Sequence, residues 1–210
     1  MSSENSNQQN DSPGIRFKDL SNQQKIDLQV AARFALRKIA DAMKVLKDAK
    51  SKSSGPVLTH FKIGGITRED VRDLDLIISK FNIIAGALLG HSDAVFDGER
   101  TGPAFGLEEI FSNPVMAYVC SLNPPKQGEE GVIKIVKPNL FNPDNVKSSM
   151  YIESIARILI HEVAHRFAGC ADKKYYRGST AIRIEKRDAM NNADSYANFA
   201  IPVARNGSQN

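Results

Sequence analysis

The sequence contains no tryptophan, and its two cysteines, Cys120 and Cys170, are too few for a disulfide framework. They form no CxxC pair, so a zinc ribbon or a dithiol redox motif is excluded. One disulfide and two free thiols both stay open. No apolar run reaches membrane-spanning length, and the opening MSSENSNQQNDSPG lacks the basic start and apolar core of a signal peptide. We therefore expect no membrane span and no export through a signal peptide.

What is present is the composition of one globular domain. The chain has 210 residues, of which 41% are hydrophobic and 25% charged. We expect a disordered tail over 1–14, a domain over 15–203 and a flexible tail over 204–210, because both ends hold little to bury. The net charge of +4 comes from 28 basic and 24 acidic residues that are scattered along the chain, so no nucleic-acid partner is predicted.

The hydrophobic pattern predicts an α+β fold. Residues 91–141 hold short β-rich runs separated by glycine, proline, asparagine and aspartate, which are typical of a small twisted, mainly antiparallel sheet. Ser21 and Gln24 form a capping-box signature at the start of the first helix, and Thr67 with Asp70 forms a second cap at the start of the next. Apolar residues at helical spacing predict four helices, at about 21–50, 67–90, 149–168 and 187–200.

The stretch HEVAH, residues 161–165, lies late on the third predicted helix. Residues four apart share one helix face, so His161 and His165 can direct their imidazoles to a common point, as zinc ligands do. Glu162 projects to their flank, where its carboxylate could take a proton from a metal-activated water. The alternative is a pair of surface histidines that binds nothing.

A third ligand decides between these interpretations, because catalytic zinc usually takes three protein groups and leaves one position for water. Gly169 can end the helix and let the chain reverse. Asp172 could then swing towards the histidine pair, and it is the candidate third ligand. The alternative is an exposed loop carboxylate beside two lysines.

The residues after HEVAH read GCADKKYY. This run resembles the GTxDxxYG signature of the aspzincin metallopeptidases, the group that contains deuterolysin and the peptidyl-Lys metalloendopeptidases. Gly169, Asp172 and Tyr175 match in register, whereas Cys170 replaces the threonine and Tyr176 the final glycine.

Two further segments resemble the same group. NNADSYANFA, residues 191–200, is similar to the family's NADSYxxFA helix, and IKIVKPNLF, residues 133–141, is similar to its strand before the active-site helix. The resemblance covers residues 131–200 and implies a zincin-like single domain. This domain would consist of N-terminal scaffold helices, the small sheet and an active-site helix carrying HExxH.

Carried over by position, the resemblance implies a zinc-dependent endopeptidase. Zinc would be held by His161, His165 and Asp172, with Glu162 as the general base. Tyr175 would donate a hydrogen bond to the developing oxyanion, although packing of its ring is the alternative.

The resemblance also bears on substrate choice. In family members specific for lysine, the aspartate of the NADS segment lines the pocket for the residue after the cut. Asp194 would therefore bind substrate and favour Lys or Arg there. A helper glutamate three residues later in those enzymes is Ala197 here, so we expect a weaker preference, and a helix-capping Asp194 is the alternative.

Two other functions stay open: a non-catalytic binding module stabilised by zinc, and an amidase that cuts cell-wall peptides. The partners we expect are a protein or peptide substrate and, beside it, an inhibitor or immunity protein. Two locations are compatible with the sequence. The protein is either secreted by a signal-peptide-independent route, as bacterial effectors and toxins are, or it is cytoplasmic.

Overall fold

The computed structural model describes residues 20–91, 105–108, 117–119, 133–174 and 184–202. Cys120, Tyr175 and the two expected tails lie outside these residues. None of the helices described combines the length and the apolar character that crossing a membrane requires. The helices are α1 (Asn22–Asp48), α2 (Gly55–Phe61), α3 (Arg68–His91), α4 (Lys137–Leu140), α5 (Pro143–Val146), α6 (Tyr151–Ala168), α7 (Lys186–Ala189) and α8 (Ala193–Ala200), and the strands are β1 (Phe105–Glu108), β2 (Ala117–Val119) and β3 (Ile133–Val136).

The starts of the two long scaffold helices follow from local capping. At α1, the Ser21 hydroxyl accepts from the Gln24 N–H at 3.2 Å, and the Gln24 side chain accepts from the Ser21 N–H at 2.9 Å. At α3, the Thr67 hydroxyl accepts from the Asp70 N–H at 3.1 Å. Both helices were predicted from these caps, and their predicted starts are confirmed.

The helical predictions needed correction in several places. The short helices α4 and α5 were not predicted, and the run 133–141, which was compared with a strand, is a strand only to Val136. The short helix α2 was missed, because the stretch SKSSGPV, whose last three residues begin this helix, indicated only a helix end. The single helix predicted over 187–200 is divided into α7 and α8. The division has a tertiary cause: Asn192 is extended, with φ −98° and ψ 119°, because it pairs with Ala171 in a parallel bridge.

The sheet has three short strands in the order β1-β3-β2. β3 pairs with β2 in antiparallel orientation and with β1 in parallel orientation. β1 and β3 run in the same direction, and β2 runs in the opposite one. Because β3 lies between the two earlier strands, it has one parallel and one antiparallel neighbour. The strands described therefore form a mixed sheet, where a mainly antiparallel one was predicted.

Helix α6 packs against α1, α3 and α8. Aromatic rings of α2, α3 and α8 pack edge to face. Tyr196 lies 5.2 Å from Phe61 and 5.0 Å from Phe81, measured between ring centroids. All three side chains are fully buried. Burial of a large apolar side chain is worth about 1.5–3 kcal/mol, so this cluster holds α8 against α2 and α3.

We expect Tyr196→Phe to lower the free energy of unfolding by roughly 0.5–1.5 kcal/mol, because the ring packing stays while one hydrogen bond is lost. The Tyr196 hydroxyl donates to the Met190 carbonyl at 2.8 Å, which anchors the turn before α8. Urea denaturation of both proteins measures the difference. An unchanged midpoint and slope would show that this hydrogen bond contributes nothing to stability.

Candidate metal centre

The histidine pair lies on α6, whose buried residues include Ile155, Leu159 and Val163. His161 and His165 lie one turn apart on a different face and are only partly buried. Their Nε2 atoms are 3.0 Å apart, and the two rings meet edge to face with centroids 4.7 Å apart. Both imidazoles therefore direct Nε2 at the same region, as the i, i+4 spacing predicted.

A left-handed glycine brings the loop back to this region. Gly169 caps α6 with φ 63° and ψ 29°, a conformation that residues with a Cβ rarely adopt. The Cys170 N–H then bonds to the Ala164 carbonyl at 3.1 Å. After this reversal, Asp172 Oδ1 lies 3.1 Å from His165 Nε2 and 3.3 Å from His161 Nε2.

The three atoms have the spacing that a tetrahedral zinc ion needs. Two donor atoms at about 2 Å from such an ion lie about 3.3 Å apart, and the three edges here are 3.0, 3.1 and 3.3 Å. Two imidazole nitrogens and one carboxylate oxygen are also a donor set that zinc favours. The residues present therefore fit a metal centre that leaves a fourth position open.

Hydrogen bonds at Nδ1 determine which nitrogen of each histidine can bind an ion. His161 Nδ1 lies 2.9 Å from a carboxylate oxygen of Asp194, and His165 Nδ1 lies 2.9 Å from the carbonyl oxygen of Cys170. Both partners only accept, so each Nδ1 carries a proton and Nε2 is the nitrogen that faces the proposed ion position. This is the outer-shell arrangement that orients histidine ligands in metal sites.

The electrostatics of the centre favour a cation. Burial lowers the pKa of His161, but hydrogen bonds with Asp172 and Asp194 and the charge of Glu162 outweigh burial and raise that pKa to about 9. Three carboxylates thus act on one imidazole. The same negative field would stabilise a divalent ion at the Nε2 atoms.

Glu162, the predicted base, is 6% exposed and is buried beside His161 on α6. A carboxylate this buried is costly unless charged or polar groups compensate. Its charge acts on His161, so it lies within electrostatic reach of the ligand atoms. Tyr175, the predicted oxyanion donor, falls outside the described residues, and its role stays a prediction.

Lys80 of α3 contacts both Cys170 and the turn before α8. Its ammonium group lies 2.8 Å from Asn191 Oδ1, 3.4 Å from the Met190 carbonyl and 3.8 Å from Cys170 Sγ. Cys170 is a free thiol, and burial raises its pKa although Lys80 acts in the opposite direction. The Cys170 thiol is therefore neutral and contributes by packing. The main-chain carbonyl of Cys170 orients His165.

Asp194, the predicted substrate residue, lies in the first turn of α8 and is 5% exposed. Its side chain is placed against His161, so the structure gives it a position behind the ligands. The motif NNADSYANFA contains Asn192, two residues before Asp194, and no local pattern in it indicates a role for this residue. It is fully buried beside the segment that carries Asp172.

Of three comparisons with known proteins, one finds a similar fold. No protein-family model matches the sequence. A search of curated proteins also gives no match. Among solved structures, a zinc peptidase from Grifola frondosa superposes with a TM-score of 0.54 and 18% sequence identity, over 86% of this chain and 96% of that one. The chain shares its fold with this zinc peptidase.

Proposed function

We propose that the protein is a zinc-dependent endopeptidase of the aspzincin type. One observation carries the proposal: His161, His165 and Asp172 bring three ligand atoms within 3.3 Å of one another, with both outer imidazole nitrogens already bonded. The fold shared with a zinc peptidase supports the same reaction class. Zinc is the cofactor and polypeptides are the substrates.

The residues divide the work of hydrolysis between them. Zinc, when bound, lowers the pKa of a water and polarises the scissile carbonyl. Glu162 accepts the proton of the attacking water and then donates it to the leaving amine. The hydrogen bonds to Asp194 and Cys170 hold the two imidazoles in the orientation that binding needs. Tyr175 would stabilise the oxyanion.

Metal analysis and proteolysis together test the proposal. The purified protein should contain about one zinc per chain, cleave denatured casein, lose cleavage after chelation and regain it when zinc is added back. A protein that binds zinc but cleaves neither casein nor a mixed peptide library would contradict the endopeptidase assignment. Purified cell wall, offered in parallel, would be cut instead if the protein is the alternative amidase.

A buried Glu162 beside the ligands favours catalysis over the alternative of a zinc-stabilised binding module. A structural zinc site needs ligands only, and an extra buried carboxylate adds a desolvation cost with no return. A proton acceptor next to the open position is, by contrast, what hydrolysis requires.

The position of Asp194 leads to a prediction about metal binding. Asp194→Ala should weaken zinc binding about 10- to 100-fold, because the His161 N–H loses the carboxylate that orients it. Asp194→Asn should lose less, since the amide oxygen can still accept that hydrogen bond. Competition with a chromogenic chelator measures both dissociation constants.

The same pair of variants tests the predicted preference for Lys or Arg after the cut. If Asp194 binds substrate, the variants should change the distribution of cleavage sites in a peptide library while zinc affinity stays parental. Asn198→Ala is a matched control, because Asn198 is equally buried on α8 and its side chain contacts no proposed ligand. Loss of affinity without a change in cleavage sites assigns Asp194 to the metal centre.

A further inference from the structure

The segment carrying Asp172 is short, lies on the surface and is not held by burial. Residues 171–174 are all exposed, and the Asp172 side chain itself is 40% exposed. An exposed loop carboxylate normally samples many positions, which would make a poor ligand. Something other than packing must therefore hold the third ligand in place.

Two main-chain bonds join this segment to the start of α8. The Ala171 N–H donates to the Asn191 carbonyl at 2.7 Å, and the Ala193 N–H donates to the Ala171 carbonyl at 3.1 Å. They form the parallel bridge between Ala171 and Asn192. The bridge holds Ala171, the residue before Asp172. Lys173 and Lys174, which follow Asp172, are held by a different group.

That group is the Asn192 side chain, which is fully buried. Its carbonyl oxygen accepts from the Lys173 N–H at 3.0 Å and the Lys174 N–H at 3.1 Å. Its NH₂ group donates to the Lys174 carbonyl at 2.9 Å and to the Ser195 hydroxyl at 3.2 Å. An amide offers two acceptor and two donor positions, and all four are used.

Asn192 occupies the N-cap position of α8 but makes no capping bond from its side chain to that helix. Asparagine at this position usually accepts from the second or third helical N–H, which stabilises a helix by about 1 kcal/mol. Here the oxygen is directed to a segment 18 and 19 residues earlier in the chain. The capping interaction is given up for a tertiary one.

We propose that Asn192 is a positioning residue that holds Asp172 at the metal centre, so that metal affinity depends on this buried amide. The inference rests on the proposed zinc site. Only an amide satisfies both the two N–H groups and the carbonyl of the segment. A carboxylate would lose both donors and would face the Lys174 carbonyl, and alanine would lose every bond.

The test compares Asn192→Asp and Asn192→Ala with the parent and with Asp172→Ala. Zinc affinity should fall about 10- to 100-fold in both Asn192 variants, as it does when outer-shell partners of metal ligands are removed. Asn198→Ala is the control for Asn192→Ala: it removes a buried amide of α8 that bonds to Arg157 and to the main-chain carbonyl of Asp194 and does not touch the segment. It should keep parental affinity.

A double-mutant cycle separates positioning from a general loss of stability. If Asn192 acts through Asp172, then Asn192→Asp should have little further effect on zinc affinity in an Asp172→Ala background. Equal losses in both backgrounds would overturn the inference, and so would parental affinity in both Asn192 variants.

Amide hydrogen exchange of the metal-free protein gives a readout that does not depend on zinc. The Lys173 and Lys174 amides should exchange at least about tenfold faster in Asn192→Asp, while amides of α6 keep their protection. Unchanged exchange at both lysines overturns the inference even if the parent binds zinc. A parent without zinc affinity refutes the proposed function and, with it, the dependence of metal affinity on Asn192, and accelerated exchange would then show only that the amide holds the segment.

Discussion

Replacing Glu162 with glutamine is expected to lower peptide hydrolysis by about 10²- to 10⁴-fold while zinc affinity stays within a few-fold of the parent. Glutamine has nearly the same size and fits the buried position, which is 6% exposed. It cannot accept the proton of the attacking water. The three ligand atoms are untouched, so the loss should appear in kcat and not in metal content.

Cleavage of a fluorogenic peptide library, with zinc content measured on the same samples, checks this prediction. Glu153→Gln is the matched control, because Glu153 lies in the first turn of the same helix, distant from the histidine pair. It should retain parental activity. A Glu162→Gln protein that binds zinc and cleaves at the parental rate would show that another group is the base.

The second large effect is expected from removal of a ligand. Structural zinc sites with four ligands bind with about 10–16 kcal/mol, so one ligand is worth roughly 3 kcal/mol, or on the order of 10²-fold in affinity. His165→Ala and Asp172→Ala should each lose at least this much, and hydrolysis with it. The direct evidence is their close approach, with His165 Nε2 3.1 Å from Asp172 Oδ1.

Thermal unfolding with and without zinc measures the loss independently of activity. Zinc at 100 times its dissociation constant should stabilise the parent by about 2.7 kcal/mol, and the same zinc concentration should barely stabilise either variant. His60→Gln is the control, because His60 packs against Phe199 and lies outside the ligand set. If zinc stabilises the Asp172→Ala protein as strongly as the parent, Asp172 is not a ligand.

The sequence predicted those parts of the molecule that depend on local interactions. The capping residues at Ser21 and Thr67 act within three positions of themselves, so their helices could be placed from sequence alone. The histidine pair is likewise a consequence of helical spacing. Gly169 indicated a chain reversal, because glycine is the residue that most often adopts the left-handed conformation at a helix end.

Contacts between distant segments could not be predicted in the same way. The helix break at Asn192 depends on pairing with Ala171, and nothing in the neighbouring residues indicates it. The hydrogen bond from His161 to Asp194 joins residues 33 apart, and no local pattern indicates it; the substrate-binding role of Asp194 stays a prediction. The central place of β3 in the sheet also depends on long-range pairing.

The bridge between Ala171 and Asn192 has a consequence for how an ion would leave. The two histidines project from a continuous helix and are each held by a hydrogen bond at Nδ1, whereas the carboxylate follows the bridge on the exposed segment 171–174. Release would therefore begin at the aspartate, and its rate would follow a small local opening of the chain. Chelators would strip such a centre much faster than the protein unfolds.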